Sequence, residues 1–174
     1  MPDVIVVSVV VVCKLSGPFE LAQAPARVPG MSVDSSLDAG VFKRPEPRCT
    51  ILAFPHGELV ISGPQLPHTL VGVGEATAFL LGDGLFVASS KVENMVCDTR
   101  LAQAIDLDRA TEAFGAEARD QTLPEPRLEV PVSETGATVA LYASGRVVIT
   151  GAKDEQAINE TLQRIIETLD IDAE

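Results

Sequence analysis

The chain opens on an apolar run, VIVVSVVVVC at 4–13, made mostly of β-branched residues. That composition predicts a buried strand over 3–13, and the run falls well short of the roughly 20 residues that cross a bilayer. Gly17 and Pro18 end it, and the short amphipathic stretch FELAQAPARV at 19–28 follows, weakened or ended by Pro25. Residues 31–43 carry no clear period, with turn residues Ser35, Ser36 and Gly40 around a strand through Val41 and Phe42. Two alternating strands come next, over 50–54 and 58–62, then a helix over 65–81 on which Leu66, Leu70, Val73 and Leu80 recur. Gly72 and Gly74 inside this helix each cost about 1 kcal/mol relative to Ala, so packing has to hold it.

The second half repeats that order. A strand over 92–99 leads to a helix that Asp106 can cap and that carries Leu107, Ala110 and Phe114. Strands over 137–143 and 146–150 follow, and the last helix, from Asp154 to Leu169, sets Ile158, Leu162, Ile165 and Leu169 on one stripe with Glu155, Glu160 and Glu167 off it. The likeness is literal: TILAFPHGELVISGPQ at 50–65 realigns without a gap onto TVALYASGRVVITGAK at 138–153, 88 residues later. Gly57 and Gly145 then fall in the turns between strands, and Gly63 and Gly151 where each second strand hands over to a helix. One unit is written twice, with repeats over 1–84 and 85–174, and the pattern predicts an α+β fold whose helices lie on one sheet face.

Charge and cysteine content narrow the function. The net charge of −12 opposes indiscriminate binding to nucleic acid while leaving room for a local basic face. Arg outnumbers Lys nine to four, and an acidic, Lys-poor composition suits a protein working in concentrated salt. Cys13, Cys49 and Cys97 are odd in number and widely spaced, which indicates neither a disulfide framework nor a metal site and makes a reducing cytoplasm the default. His56 and His68 have no metal-like partner at short spacing, and no nucleophile and base are spaced as a catalytic pair. GVGEAT at 72–77 lacks the GK[ST] ending of a phosphate loop and lies within a helical stretch. The chain therefore reads as a non-enzyme with no cofactor, no metal and no membrane partner.

Several phrases carry a family resemblance. SGRVVITGAK at 144–153 and HGELVISGPQ at 56–65 resemble the SGK-[IMV]-V-x-TGAK phrase present in both repeats of the TATA-box-binding protein family. FKRPEPRCTILAF at 42–54 resembles that family's R-x-x-x-P-[KR]-x-x-x-L-[IL]-F segment, VENMVCD at 92–98 its Q-N-[IV]-V opening of the second repeat, and CKL at 13–15 fits the opening strand of the first. The resemblance implies a two-repeat saddle, a curved antiparallel sheet with helices on its convex face. It also implies a general transcription factor of archaeal type, working in the cytoplasm or nucleoid, that binds and bends AT-rich promoter DNA in the minor groove. This family is itself a known case of apolar side chains wedged between base steps. The further partners implied are a transcription factor B with the RNA polymerase machinery, and a second copy of the free protein in a homodimer.

Carried across position by position, the resemblance assigns the wedges to Leu37 and Phe54 in the first half and to Glu125 and Tyr142 in the second. Glu125 departs from the pattern, because a carboxylate between bases is costly to desolvate; a slip of two residues would offer Leu123. The central polar contacts fall to Asn94 and Thr150 in the second half, and to Ser62 and the apolar Val4 in the first, with Val148 beside them. Arg146 keeps the strand cation that Glu58 reverses, and Lys43, Arg44 and Arg48 form a basic edge for phosphates. Pro124, Glu125 and Pro126, within LPEPRLE at 123–129, resemble the loop that receives transcription factor B. Glu58, Glu125 and Val4 equally fit a saddle-fold relative that has lost DNA and engages proteins. Without the resemblance, Phe54 and Tyr142 read as cross-strand packing, Asn94 as a turn cap, Thr150 as a helix N-cap, and Lys43, Arg44 and Arg48 as a solvated loop.

Overall fold

A computed structural model describes residues 2–115, 118–121 and 125–171. The chain divides into two compact units, one of Ser8–Glu93 and one of Met1–Val7 with Asn94–Glu174. The boundaries fall inside two long strands, β1 (Val4–Leu15) and β6 (Val87–Arg100), which each supply residues to both units. A division at 84/85 follows the repeat period, whereas the compact units follow the packing.

In the first unit β2 (Ser32–Asp34), β3 (Ala39–Pro45), β4 (Arg48–Phe54) and β5 (Glu58–Gly63) join β1 in the order β2-β3-β4-β5-β1, with antiparallel registers. The ambiguous stretch 31–43 thus holds one short strand and the start of a longer one. FELAQAPARV forms a 3₁₀ turn at Leu21–Gln23 and a single helical turn, α1 (Ala24–Arg27), with Pro25 in the first turn, where its missing N–H costs nothing. Helix α2 (Pro67–Leu81) buries Leu70, Val73, Gly74, Thr77, Ala78 and Leu81. Gly74 is required there, since a Cβ would lie 2.9 Å from Cys13 Sγ and 3.1 Å from Ile61 Cδ1. The close helix-to-strand approach that this permits is the packing that offsets the glycine's poor propensity.

The second unit runs β6-β10-β9-β8-β7, from β7 (Arg119–Gln121), β8 (Arg127–Val132), β9 (Ala137–Tyr142) and β10 (Arg146–Ala152). Asp106 caps α3 (Leu107–Phe114), accepting from the N–H groups of Asp108 and Arg109, and Asp154 caps α4 (Glu155–Leu169), accepting from Ala157 at 2.7 Å. Thr150 is therefore not the N-cap of the last helix. Ile158, Leu162 and Ile165 of α4 are buried.

In both units the core lies between helices and sheet. Strand residues alternate, so Ile51, Ala53, Leu59 and Ile61 in the first unit, and Val139, Leu141, Val147 and Ile149 in the second, are fully buried. Their neighbours point to the opposite, outer face. The turns match as well: Gly57 and Gly145 have φ of 106° and 85°, and a Cβ on either would sit 2.8 Å from the carbonyl of Gly17 or 2.5 Å from that of Gln103.

Candidate nucleic-acid interface

The outer face of each unit is fixed by pairing register. In the first unit Thr50 lies opposite Lys43 and Ser62, Leu52 opposite Val41 and Val60, and Phe54 opposite Glu58. Val10, Val12 and Lys14 of β1 extend these rows from Ser62, Val60 and Glu58. Phe54 is half-buried, its ring 5.9 Å from that of His56, and Leu37 is 48% exposed. A turn presents Leu37: Asp34 Oδ1 accepts from the N–H groups of Ser36 and Leu37 and from the Ser36 hydroxyl, and these bonds, led by that hydroxyl, hold the carboxyl below its ordinary range. Lys43, Arg44, Arg48, Thr50 and Ser62 border an open depression of about 530 Å³ at the end of this face.

In the second unit Arg127, Tyr142, Arg146 and Arg100 form one row, and Glu129, Ala140, Val148 and Asp98 the next. Arg146 stands opposite Arg100, a like-charged cross-strand pair that is unfavourable by itself. Asp98 compensates: its Oδ2 accepts from Arg146 Nε at 2.9 Å and Nη2 at 2.6 Å, while the guanidinium carbon lies 5.2 Å from the centre of the Tyr142 ring. The hydrogen bonds that Arg146 donates to Asp98 come first in raising the Arg146 pKa, followed by the charge of that carboxylate. Arg127 is held the same way, donating from Nε and Nη2 to Glu129 Oε1 at 3.0 and 2.9 Å.

The register also bears on two ambiguities left by the sequence. Val10 pairs with Ser62 and Val96 with Thr150, so the first-half counterpart of Asn94 is Ser8, not Val4. A polar side chain stands where the sequence placed an apolar one; the run of valines around it offers no landmark. In the same way Gly40 pairs with Ala53 and Leu128 with Leu141, each member 88 residues from its counterpart. The two strand pairs share one register, so Glu125 keeps the spacing from its strand that Leu37 keeps from the matching strand. Glu125 and Pro126 are exposed; Pro124 and Leu123 lie outside the described residues.

Asn94 does more than face outward. Its Oδ1 accepts from the N–H of Gly151 at 2.8 Å, at the bulge where the β10–β6 register shifts between Thr150 and Ala152. Gly151, at φ of 90°, makes the bulge possible. The carboxamide thus serves the sheet backbone, close to the turn-cap reading, while Thr150 remains exposed and Ser62 and Val148 half-exposed.

Ser8, Thr50, Asp98 and Glu129 were not singled out by sequence motif; only pairing brings them to the outer face. All three cysteines are buried and free, and burial pushes the Cys13 thiol up to about 11. Among the described residues no cluster of three or more His, Cys, Asp or Glu is arranged to hold a metal, and no helix is long and apolar enough to cross a membrane.

Comparison with known proteins agrees with this geometry. Residues 89–170 match the family model of transcription factor TFIID, or TATA-binding protein. A TATA-box-binding protein of Aeropyrum pernix is 25% identical over 97% of this chain and 85% of its own length. TATA-box-binding protein B of Halobacterium salinarum is 28% identical over 92% of this chain and 91% of its own. Among solved structures, the Methanococcus jannaschii TBP superposes with a TM-score of 0.80 over 97% of this chain and 99% of that one, at 22% identity. The fold shared with it is the two-repeat saddle expected from the sequence.

Proposed function

We propose that the chain is a member of the TATA-box-binding protein family, whose members it resembles in sequence and fold, and that it binds AT-rich promoter DNA in the minor groove, bends it, and recruits a transcription factor B to begin transcription. The observation that carries this reading is the outer face of the first unit. There an exposed Leu37 and a half-buried Phe54 stand at the two wedge positions, beside apolar Val41, Leu52, Val60 and Val12. Lys43 and Arg48 border the same face, where phosphates would run, while Arg44 pairs with the buried Cys49 and donates to the Glu46 carbonyl. Apolar wedges unstack base steps, and the bent duplex then covers more protein surface. Ser8, Ser62, Asn94 and Thr150 supply hydroxyls and an amide for the acceptor-rich floor of an A·T minor groove. The exposed loop at Glu125 and Pro126 is the surface on which transcription factor B would dock, and the repeats over 1–84 and 85–174 are the units of duplication.

A second reading is a saddle-fold relative that engages proteins instead of DNA. Glu125, at the spacing of a wedge position, favours it, since a carboxylate between bases is costly to desolvate. One experiment separates the two. The purified protein is titrated onto labelled AT-rich and GC-rich duplexes across a wide range of salt, with bending read by energy transfer between the duplex ends. Tighter, bent complexes on the AT-rich duplex are expected; a folded protein that binds neither duplex at any salt refutes the promoter-binding reading.

A further inference from the structure

The cation best placed to meet a phosphate on the second unit is already bonded to an anion. Arg146 uses Nε and one Nη on Asp98, which is the guanidinium edge that a phosphate would also take. The pair is reachable, with 46% of the Arg146 side chain and 27% of the Asp98 side chain exposed. Tyr142 lies under the same guanidinium, so the cation and the aromatic ring form one assembly closed by one carboxylate.

We infer that Asp98 sets the affinity of this face for DNA: binding there is an exchange, in which a backbone phosphate displaces the Asp98 carboxylate from Arg146. The inference rests on the DNA-binding reading above. Two consequences separate it from an ordinary surface ion pair. Removing the carboxylate strengthens binding, because the guanidinium is then unoccupied in the free protein and no anion is left beside the incoming phosphate. That gain requires Arg146, and it fades as salt screens the pair in the parent protein.

The test is a double-mutant cycle on the full chain, read by fluorescence anisotropy of an end-labelled AT-rich duplex at low and at raised salt. The proteins are the parent, Asp98→Asn, Asp98→Ser, Arg146→Gln and Asp98→Asn combined with Arg146→Gln, each checked for folding by circular dichroism. Asp98→Asn and Asp98→Ser are expected to bind about fivefold to tenfold tighter at low salt, with the advantage shrinking as salt rises and vanishing when Arg146 is Gln. A gain that survives Arg146→Gln would mark a general effect of charge and overturn the exchange. Duplex binding left unchanged by both Asp98 variants would overturn this inference alone. Absence of duplex binding by every folded protein would overturn the promoter-binding reading and this inference with it.

Discussion

Apart from the bulge at Gly151, the two outer faces have matching strand registers, and their chemistry is opposite. In the first unit the rows around Phe54 are mainly aliphatic and hydroxylic, with cations at one end. In the second, a row of three arginines with Tyr142 is backed by Asp98 and Glu129, and Glu125 falls at the spacing of Leu37. A duplicated scaffold therefore conserves what the backbone needs and lets each face diverge. Turn glycines, buried strand residues and, outside the Gly151 bulge, ladder register agree between units because most changes there disrupt packing. The outward residues contribute little to the core and vary without endangering it.

The shared scaffold is tested most severely at the turns. Gly57→Val and Gly145→Val should each cost about 3 kcal/mol, since both backbones have positive φ and both lack room for a Cβ. Urea unfolding that shows one of them to be neutral would break the equivalence. The divergence of the faces predicts unequal effects on DNA. Phe54→Ala should weaken duplex binding about 30-fold and Tyr142→Ala by no more than about fivefold, because Tyr142 sits within a closed ionic assembly. Equal losses in the same titration would show that the second face wedges as deeply as the first.

Making the second face resemble the first should sharpen the contrast. Glu125→Leu is expected to tighten duplex binding about tenfold, by removing a carboxylate that repels phosphate and resists desolvation; unchanged affinity would place this residue away from the duplex. The smallest effect distinguishes the helices. Asp154→Ala should cost about 1 kcal/mol by thermal melting, since it removes the cap of α4. Helix α2 starts from Leu66 without a side-chain cap, so Leu66→Asp should instead stabilise by a few tenths to about 1 kcal/mol. A loss from Leu66→Asp would mean that the exposed leucine packs more than it costs.

Much of the scaffold was legible from periodicity and turn chemistry. The α4 stripe, the Asp106 cap, the turn glycines and the strands around Phe54 and Tyr142 each rest on local rules that hold wherever the element sits. The candidate site was legible only in part. Phe54, Tyr142, Thr150 and Arg146 lie in segments that align without gaps. Ser8 was hidden in a valine-rich strand where every register looks equally good, and the bulge at Gly151 shifts the pairing just where the alignment had to be extended. The partnership of Arg146 with Asp98 spans 48 residues, and no local pattern announces it. Fold is encoded largely in nearest neighbours; the electrostatic state of a face depends on which strands lie side by side.

Tyr142 is the only tyrosine, and the chain has no tryptophan. Excited in the tyrosine band, beyond the absorption of the phenylalanines, the protein therefore emits from one ring, seated beneath one guanidinium in one unit. A ligand that meets the outer face of that unit is expected to change the brightness of the unlabelled protein, while events confined to the first unit leave that emission unchanged. A molecule with two diverged faces thus carries an intrinsic optical label on one of them, and which face a ligand touches can be told by shining light on the native chain.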